Sequence, residues 1–226
     1  QAEDGIRDLV RSRGLGDVYK RQIYLNFLLE GFYTHLNDPF ANHYSQPDED
    51  GIVIYTRINA EKGASVRGLN FELNLVPAED LTLKTGFTVQ SSLYEKVQEF
   101  DEKRFLRSPG DYGYMALDWQ SVGNFGFSST ANYTGKMLVP YFGVDQAEPN
   151  QGELRVSQRF LEMGLKLRYD IRLNGATLRL YTGMKNIFNS YQSDFDTGIG
   201  RDPGYMYGPL NPRTVYVGLK IGNQLK

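Results

Sequence analysis

Three aspartates and two histidines are the side chains of this sequence whose types and spacing could bind a metal ion. Asp194, Asp196 and Asp202 lie in one segment near the C-terminus, and clustered carboxylates can supply the oxygen ligands that calcium prefers. Such carboxylates more often form turns and keep a loop hydrated. His35 and His43 bracket a polar segment, and two histidines without a third ligand are more often surface residues. We therefore expect neither a metal site nor another cofactor.

Acid–base chemistry and phosphate binding receive little support either. Glu30 with Glu72, or Arg168 with Asp170, could form acid–base pairs, but these residues lie in alternating apolar and polar segments, where charges pair across neighbouring strands. The glycine-rich stretch 198–204 follows no buried strand and opens no helix, so it does not predict a phosphate loop. A net charge of −2 and a pI near 5.8 argue against a nucleic-acid partner. The sequence predicts no catalytic residue and no enzyme.

Aromatic side chains are the binding chemistry that the sequence supplies in quantity. The chain holds 16 tyrosines and 13 phenylalanines but no cysteine. Several of these rings lie in segments rich in Asp, Gly and Pro, where they could stack on a bulky ligand. The candidate ligand-binding residues are Tyr141, Phe142, Tyr191, Phe195, Tyr205 and Tyr207.

Eight segments that could position these rings alternate apolar with polar residues, as β-strands with one apolar face do. Several exceed the five or six residues typical of globular sheets and reach the roughly nine to eleven that a tilted strand needs to cross a bilayer. No stretch approaches the roughly 18 apolar residues of a membrane helix, so a helical membrane protein is excluded. The eight segments are 23–36, 66–75, 81–90, 113–119, 125–134, 161–171, 177–185 and 214–221.

The connections between these segments alternate strictly between short and long. The short ones are 77–80, 122–124 and 174–176, and the last contains an Asn-Gly pair that favours a tight hairpin. The long ones run over roughly 37–50, 96–107, 141–152 and 189–212. All tight turns are therefore expected at one end of the sheet and all long loops at the other, which is typical of a transmembrane β-barrel with short periplasmic turns and long extracellular loops.

The apolar face of each strand is then expected to meet lipid, and the polar face to line a lumen. A soluble up-and-down barrel would invert the two faces, and would place several lysines and arginines outside. Aromatic residues near the strand ends are candidates for interfacial girdles. They are Trp119, Phe125 and Tyr169 near the tight turns, and Tyr33, Tyr94, Tyr133 and Phe188 near the long loops.

The first 22 residues do not share this pattern. Their charges are crowded, and Ile6, Leu9 and Val10 are spaced for a short helix. The stretch has no apolar run of the length found in a secretion signal, and it resembles translated sequencing-adapter read-through, the alternative being a basic amphipathic leader. We expect residues 1–22 to be a non-native leader, with the native protein beginning upstream, and residues 23–226 to form the barrel.

Two blocks of the sequence resemble a known family. A strand with Gly68, Asn70 and Glu72 is followed by a tight turn and a second strand. Near the end, the run 186–189 (Asn-Ile-Phe-Asn) closes one strand and the run 212–214 (Pro-Arg-Thr) opens the last. Over residues 23–222 the sequence is similar to the C-terminal part of the barrel of TonB-dependent outer-membrane receptors.

The resemblance implies a location in the cell outer membrane, contact with its lipid, and uptake of a bulky ligand such as an iron-siderophore, cobalamin or glycan. It also implies energy coupling to the TonB system through a plug, which is absent from this chain. A small self-contained eight-stranded barrel with a structural or adhesive role stays open as an alternative, since eight strands can close around a filled interior. A plug and further strands encoded upstream would indicate the receptor, and a signal peptide ending near residue 22 the small barrel.

Overall fold

The computed structural model describes residues 23–45, 48–49, 52–120, 123–143 and 152–223. Within them no helix is long and apolar enough to cross a membrane. Residues 1–22, predicted to be a non-native leader, lie outside the described residues. The described chain forms one 3₁₀ turn (Glu99–Asp101) and the strands β1 (Tyr24–Leu36), β2 (Phe40–Tyr44), β3 (Tyr55–Asn59), β4 (Ala64–Ala78), β5 (Leu81–Tyr94), β6 (Asp111–Gln120), β7 (Phe125–Thr134), β8 (Leu138–Tyr141), β9 (Glu153–Val156), β10 (Phe160–Leu173), β11 (Ala176–Lys185) and β12 (Thr214–Gly222).

Eight of the strands form one antiparallel sheet in the order β1-β4-β5-β6-β7-β10-β11-β12. Each strand of this sheet pairs with the next one along the chain, so the sheet is an up-and-down meander. Its strands are 9 to 15 residues long, long enough to cross a bilayer when tilted. The predicted fold class, eight antiparallel up-and-down strands, is confirmed. β1 and β12 occupy the two edges, and the sheet is not closed.

Short and long connections alternate along this sheet, as the sequence predicts. β4 joins β5 through residues 79–80, and β10 joins β11 through residues 174–175, where Gly175 has a φ of 82°. The β6–β7 turn lies partly outside the described residues. Because successive strands are antiparallel, the short turns share one end of the sheet, and the connections 37–63, 95–110, 135–159 and 186–213 share the other.

Two of the long connections contain strands of their own, which the sequence analysis did not predict. β2 pairs with β3 within residues 37–63, and β8 pairs with β9 within residues 135–159. The expected loop 37–50 was therefore too short, because the chain leaves along β2 and returns along β3 before it enters β4. Strands of four or five residues carry too few alternations to be distinguished from a loop by pattern.

The two faces of the large sheet differ in polarity. On β12 one face carries four aliphatic side chains that are 64–80% exposed, namely Val215, Val217, Leu219 and Ile221. We call this the apolar face of the sheet and the opposite one, which carries Tyr216 and Lys220, the polar face. In membrane barrels the apolar face meets lipid and the polar face lines the lumen.

Charges on the polar face pair across neighbouring strands, as expected. The guanidinium of Arg179 on β11 donates to both carboxylate oxygens of Asp170 on β10, at 2.7 and 2.8 Å. Arg168 instead pairs with Asp118 on β6 at 3.9 Å, across the intervening strand β7. These pairs satisfy charges that would be costly to leave alone in a partly buried position.

Aromatic side chains mark the turn end of the apolar face. The indole N–H of Trp119 donates to Asp80 in the β4–β5 turn at 2.9 Å, and its ring meets that of Phe125 edge to face. The assignment of Tyr94 to a lipid-facing girdle was wrong. The register of β5 places Tyr94 on the polar face, and its hydroxyl donates to the carbonyl oxygen of Phe40 at 2.8 Å.

Candidate ligand-binding site

The four long connections contact one another at one end of the sheet. Arg107 in the β5–β6 connection donates to the carbonyl oxygens of Met206 at 2.8 Å and Gly204 at 2.6 Å, both in the β11–β12 connection. Its backbone N–H donates to the carbonyl oxygen of Leu138 at the start of β8, at 2.7 Å. One residue therefore joins three of the four connections.

A small buried core lies between the β8–β9 hairpin and the β11–β12 connection. We call it the tyrosine core; it consists of Val139, Tyr141 and Tyr205, with Met137 and Tyr207 packed against it. The Tyr205 and Tyr207 rings meet edge to face, with centroids 5.3 Å apart. Edge-to-face aromatic pairs contribute about 0.5–1.5 kcal/mol each beyond the area they bury. The core therefore holds the two connections together without a regular strand between them.

The guanidinium of Arg155 on β9 closes one side of the tyrosine core. Its central carbon lies 3.5 Å from the centroid of the Tyr141 ring, and its Nε atom lies 2.6 Å from a carboxylate oxygen of Glu153. The cation is therefore compensated by a ring and by a carboxylate, both on the same hairpin. This arrangement makes Arg155 part of the packing of the hairpin.

Asp194 and Gln192 supply the polar contacts of the tyrosine core. The Asp194 carboxylate accepts hydrogen bonds from the hydroxyls of Tyr205 at 2.9 Å and Tyr207 at 2.6 Å. Gln192 is fully buried; its side-chain N–H donates to the carbonyl oxygen of Tyr205, and its side-chain oxygen accepts from the backbone N–H of Tyr207. The chain between residues 192 and 207 is thereby folded back on itself.

These contacts shift the titration of the groups involved. Burial raises the pKa of Tyr205 to about 12, and its hydrogen bond to Asp194 acts in the same direction. The pKa of Tyr207 is also raised, by burial first and then by its bond to Asp194. Partial burial acts to raise the pKa of Asp194, but the bonds from Tyr207 and Tyr205 outweigh it and hold that pKa below its ordinary value.

The remaining two aspartates of the last connection bind backbone N–H groups. Asp202 accepts from the N–H of Phe142 at 2.9 Å and from the N–H of Gly204 at 2.7 Å. Asp196 accepts from the N–H of Asp202 at 2.7 Å. Their carboxylates form turns and join the last connection to the end of β8, which is the more ordinary of the two roles that the sequence suggests for them.

Both histidines contact glutamates of the β5–β6 connection. His43 Nδ1 lies 2.5 Å from a carboxylate oxygen of Glu99, and His35 Nδ1 lies 3.7 Å from one of Glu95. These contacts tie the end of β1 and the β1–β4 connection to the β5–β6 connection. In the part of the chain that the structure describes, no group of three potential metal ligands occurs.

A second group of rings, which we call the aromatic patch, joins three connections above the sheet. It consists of Tyr44, Tyr55, Phe100 and Phe142, with the centroids of Tyr44 and Phe142 4.8 Å apart and those of Phe100 and Phe142 5.9 Å apart. Of this group only Phe142 is among the candidate residues predicted from the sequence. Tyr44 and Phe100 carry the same signal, an aromatic residue in a predicted long connection, whereas Tyr55 lies beyond the predicted connection 37–50.

The structure separates the six candidate ligand-binding residues into three groups. Tyr141 and Tyr205 are 1% exposed in the tyrosine core, with Tyr207 half-buried beside them. Phe142 is half-buried in the aromatic patch. Tyr191 and Phe195 are 49% and 42% exposed. Tyr207, Phe142, Tyr191 and Phe195 therefore present surface to a ligand, whereas Tyr141 and Tyr205 do not. A ligand-binding role for any of them stays a prediction.

A cavity lies beside this region, at the loop end of β5. It has a volume of about 220 Å³ and is lined by Gln90, Arg104, Ser108 and Lys136 among others. Sites for drug-sized ligands usually measure about 300–1,000 Å³. The open surface that the connections form together is therefore a better candidate for a bulky ligand than this cavity.

The architecture has clear counterparts among solved structures. The ferripyoverdine receptor of the outer membrane of Pseudomonas aeruginosa matches 86% of this chain with a TM-score of 0.60 and 18% identity. The ferric-catecholate import receptor Fiu of E. coli K12 matches 90% with a TM-score of 0.57 and 19% identity. The siderophore receptor PirA of Acinetobacter baumannii matches 87% with a TM-score of 0.51 and 15% identity.

The chain has the fold of part of the barrel of these outer-membrane receptors. This confirms, at the level of fold, the predicted resemblance to the barrels of TonB-dependent receptors and the predicted outer-membrane architecture. The chain spans 24%, 25% and 29% of the lengths of these three receptors. No family model and no curated protein sequence matches it.

Proposed function

We propose that this chain forms part of the barrel wall of an outer-membrane receptor that binds a bulky ligand outside the cell and imports it. Residues 23–226 contribute to the barrel, and residues 1–22 are a non-native leader. Energy comes from the TonB system through a plug domain. The similar receptors are named for ferripyoverdine, a ferric catecholate or a siderophore. These names support an iron-siderophore as the ligand class.

The observation that carries this proposal is the construction of the loop end. Long connections that only joined strands would need no internal packing. Here they contain two hairpins, a buried tyrosine core and the bridging contacts of Arg107. A connection that is folded and braced in this way presents its exposed side chains in fixed positions, which is what recognition of a ligand requires.

The recognition surface that we propose consists of exposed rings and of half-buried rings that neighbouring residues hold in place. Tyr191 and Phe195 project from the last connection, and Phe142 and Tyr207 form the half-buried boundary with the hairpin. Tyr141 and Tyr205 are buried and do not contact the ligand. The contact between their rings holds in place the last connection, which carries Tyr191, Phe195 and Tyr207. Rings presented in this way can stack on the flat faces of an aromatic or sugar ligand.

The open sheet favours the receptor over a small self-contained barrel. An eight-stranded barrel would pair its first strand with its last, yet among the described residues β1 and β12 each pair on one side only. Unpaired backbone groups are very costly in a bilayer. We therefore propose that further strands close the barrel, as they do in the longer receptors.

Uptake by cells that express the complete gene tests this function. Radiolabelled iron would be offered as a tris-catecholate, a tris-hydroxamate and a citrate complex, to cells with and without a functional TonB protein. We expect uptake of at least one complex that depends on both the gene and TonB. Equal uptake with and without the gene for all three complexes would contradict the iron-siderophore proposal.

A further inference from the structure

A row of cations runs along the polar face of the last three strands of the sheet. The pairing of β10, β11 and β12 includes four successive levels, two residues apart, that run from the loop end toward the turn end. Each level carries at least one cation. From the loop end, the paired residues at the four levels are Lys185–Thr214, Lys166–Gly183–Tyr216, Arg168–Tyr181–Gly218 and Arg179–Lys220. At about 3.4 Å per residue the levels are roughly 7 Å apart, so the row extends over about 20 Å.

The arginines and the lysines of this row have different partners. Arg168 and Arg179 form ion pairs with Asp118 and Asp170. In the described part of the chain no carboxylate lies within ion-pair distance of Lys166, Lys185 or Lys220. All three lysines are exposed. The charges of the arginines are therefore used in ion pairs within the sheet, whereas the charges of the lysines are available to bind an anion.

Two of the lysines rest on tyrosine rings. Lys166 Nζ lies 5.0 Å from the centroid of Tyr181, and Lys185 Nζ lies 5.9 Å from that of Tyr216. These rings cover Gly218 and Gly183 on the neighbouring strands, where a Cβ atom would collide with them. An exposed cation–π contact contributes only about 0.5–1 kcal/mol, so an anion can engage these lysines without breaking a strong bond.

The polar face of the first four strands of the sheet has the opposite balance. It carries Glu30 on β1, Glu72 on β4 and Asp118 on β6, against Lys84 on β5. The cations are thus concentrated on one side of the wall. A surface with one sign of charge and a low-dielectric wall behind it raises the local concentration of ions of opposite sign.

We propose that Lys185, Lys166 and Lys220 form a track for an anionic solute along the inner surface of the barrel, which we call the lysine track. The inference rests on the proposed function and specifies its substrate: the imported ligand carries carboxylate, catecholate or other oxyanion groups. The spacing of about 7 Å between the levels lets such a solute contact one lysine before it leaves the previous one. Because the lysines lack carboxylate partners, each contact replaces a weak interaction with an ionic one.

The test uses cells that express the complete gene and a matched pair of iron complexes, an anionic tris-catecholate and a neutral tris-hydroxamate. Three receptors are compared: the parent, a triple variant Lys166→Gln, Lys185→Gln and Lys220→Gln, and a triple variant with Arg at the same positions. Lys84→Gln on the opposite part of the wall is the control. We expect uptake of the anionic complex to fall about tenfold in the Gln variant, as the loss of three exposed charge contacts implies, and to be retained in the Arg and Lys84 variants.

Each other outcome overturns the inference in a distinct way. Unchanged uptake of the anionic complex in the Gln variant removes the track and leaves the proposed function standing, as does a parent that imports only the neutral complex. A Gln variant that loses its heat-resistant folded form would show that the lysines hold a packed acidic segment of the protein. A parent that imports none of the three complexes of the uptake test contradicts the proposed function itself, and the inference with it.

Discussion

The ring of Tyr141 at the end of β8 meets the ring of Tyr205 in the last connection edge to face, with 4.9 Å between their centroids. The two residues are 64 positions apart in the sequence (205 − 141), and both are 1% exposed. Their contact makes the β8–β9 hairpin and the β11–β12 connection one folded unit. The loop end of this barrel wall therefore has a core of its own.

Replacing Tyr205 by Ala should separate the hairpin from the last connection. The loss of a buried ring of this size costs about 3 kcal/mol or more, and the large sheet should stay intact because the tyrosine core lies outside it. Hydrogen exchange of the full-length protein measures this directly, through the backbone N–H groups of β8 and of residues 205–207. Tyr191→Ala, which removes an exposed ring, is the matched control, and equal exchange in both variants would contradict a structural role for Tyr205.

Acid should loosen the contact between the β8–β9 hairpin and the β11–β12 connection by protonating Asp194. The pKa of this carboxyl is held below its ordinary value of about 3.9, so its contribution to stability is fully present above that value and is lost as the pH falls through the lower folded pKa. A nitroxide on a cysteine in place of the exposed Val156 should therefore become more mobile only below about pH 4. Asp194→Asn, which cannot titrate, should lack this step, and an identical step in both proteins would rule out Asp194 as its cause.

Alkali should loosen the same contact between the hairpin and the last connection by ionising Tyr205. Its pKa is raised to about 12, above the ordinary value of about 10, so the stability that its hydroxyl contributes is complete below pH 10 and is lost as the pH rises through 12. The same nitroxide should gain mobility in this range. Tyr205→Phe keeps the ring but has no hydroxyl, and should show a smaller alkaline change; a full-sized change in that variant would assign the effect to another group.

The alternation of residues was sufficient to predict the large sheet. The period of two fixed which side chains share a face, as Val215 to Ile221 illustrate, and the order of short and long connections fixed the meander. The packing of the loop end could not be read in this way. Tyr141 and Tyr191 look alike in the sequence, because each is an aromatic residue in a polar segment, yet one is buried and the other half-exposed.

The difference between these two tyrosines arises from contacts between distant segments. The place of Tyr141 depends on Tyr205 in the last connection, whose hydroxyl Asp194 holds, and on Arg155 of the paired strand β9. No local pattern records such contacts. The hairpins escaped prediction for a related reason, since β8 and β9 are only four residues long and are stabilised by the tyrosine core rather than by a long alternating pattern.

The Arg179–Asp170 pair should contribute measurably to the stability of the barrel. Arg179→Met leaves the partly buried carboxylate of Asp170 without its two guanidinium hydrogen bonds, which is expected to cost about 1.5–3 kcal/mol. Lys220→Met on the neighbouring strand removes an exposed charge and should cost under about 0.5 kcal/mol. Urea unfolding of the full-length protein in lipid vesicles compares the two, and similar midpoints would show that the pair contributes nothing net.

Removing the exposed rings of the last connection should weaken ligand binding alone. For the variant Tyr191→Ala with Phe195→Ala, we expect about a tenfold loss of affinity for the iron complex that the uptake test identifies, since each stacked ring contributes about 0.5–1.5 kcal/mol. Heat resistance of the barrel should not change. An affinity equal to that of the parent would leave these rings without a role in recognition.

The central claim, that this sheet is a membrane-spanning wall with its aliphatic face toward lipid, is tested most directly on β12. The chain contains no cysteine, so single cysteines can be introduced from Thr214 to Gly222 in the full-length protein and labelled with a nitroxide. Collision rates with oxygen, which concentrates in lipid, and with a water-soluble nickel complex are then measured in vesicles. We predict a period of two residues, with high oxygen access at positions 215, 217, 219 and 221 and low access at 214, 216, 218 and 220. The reverse phase, or uniform access along the strand, would contradict the claim.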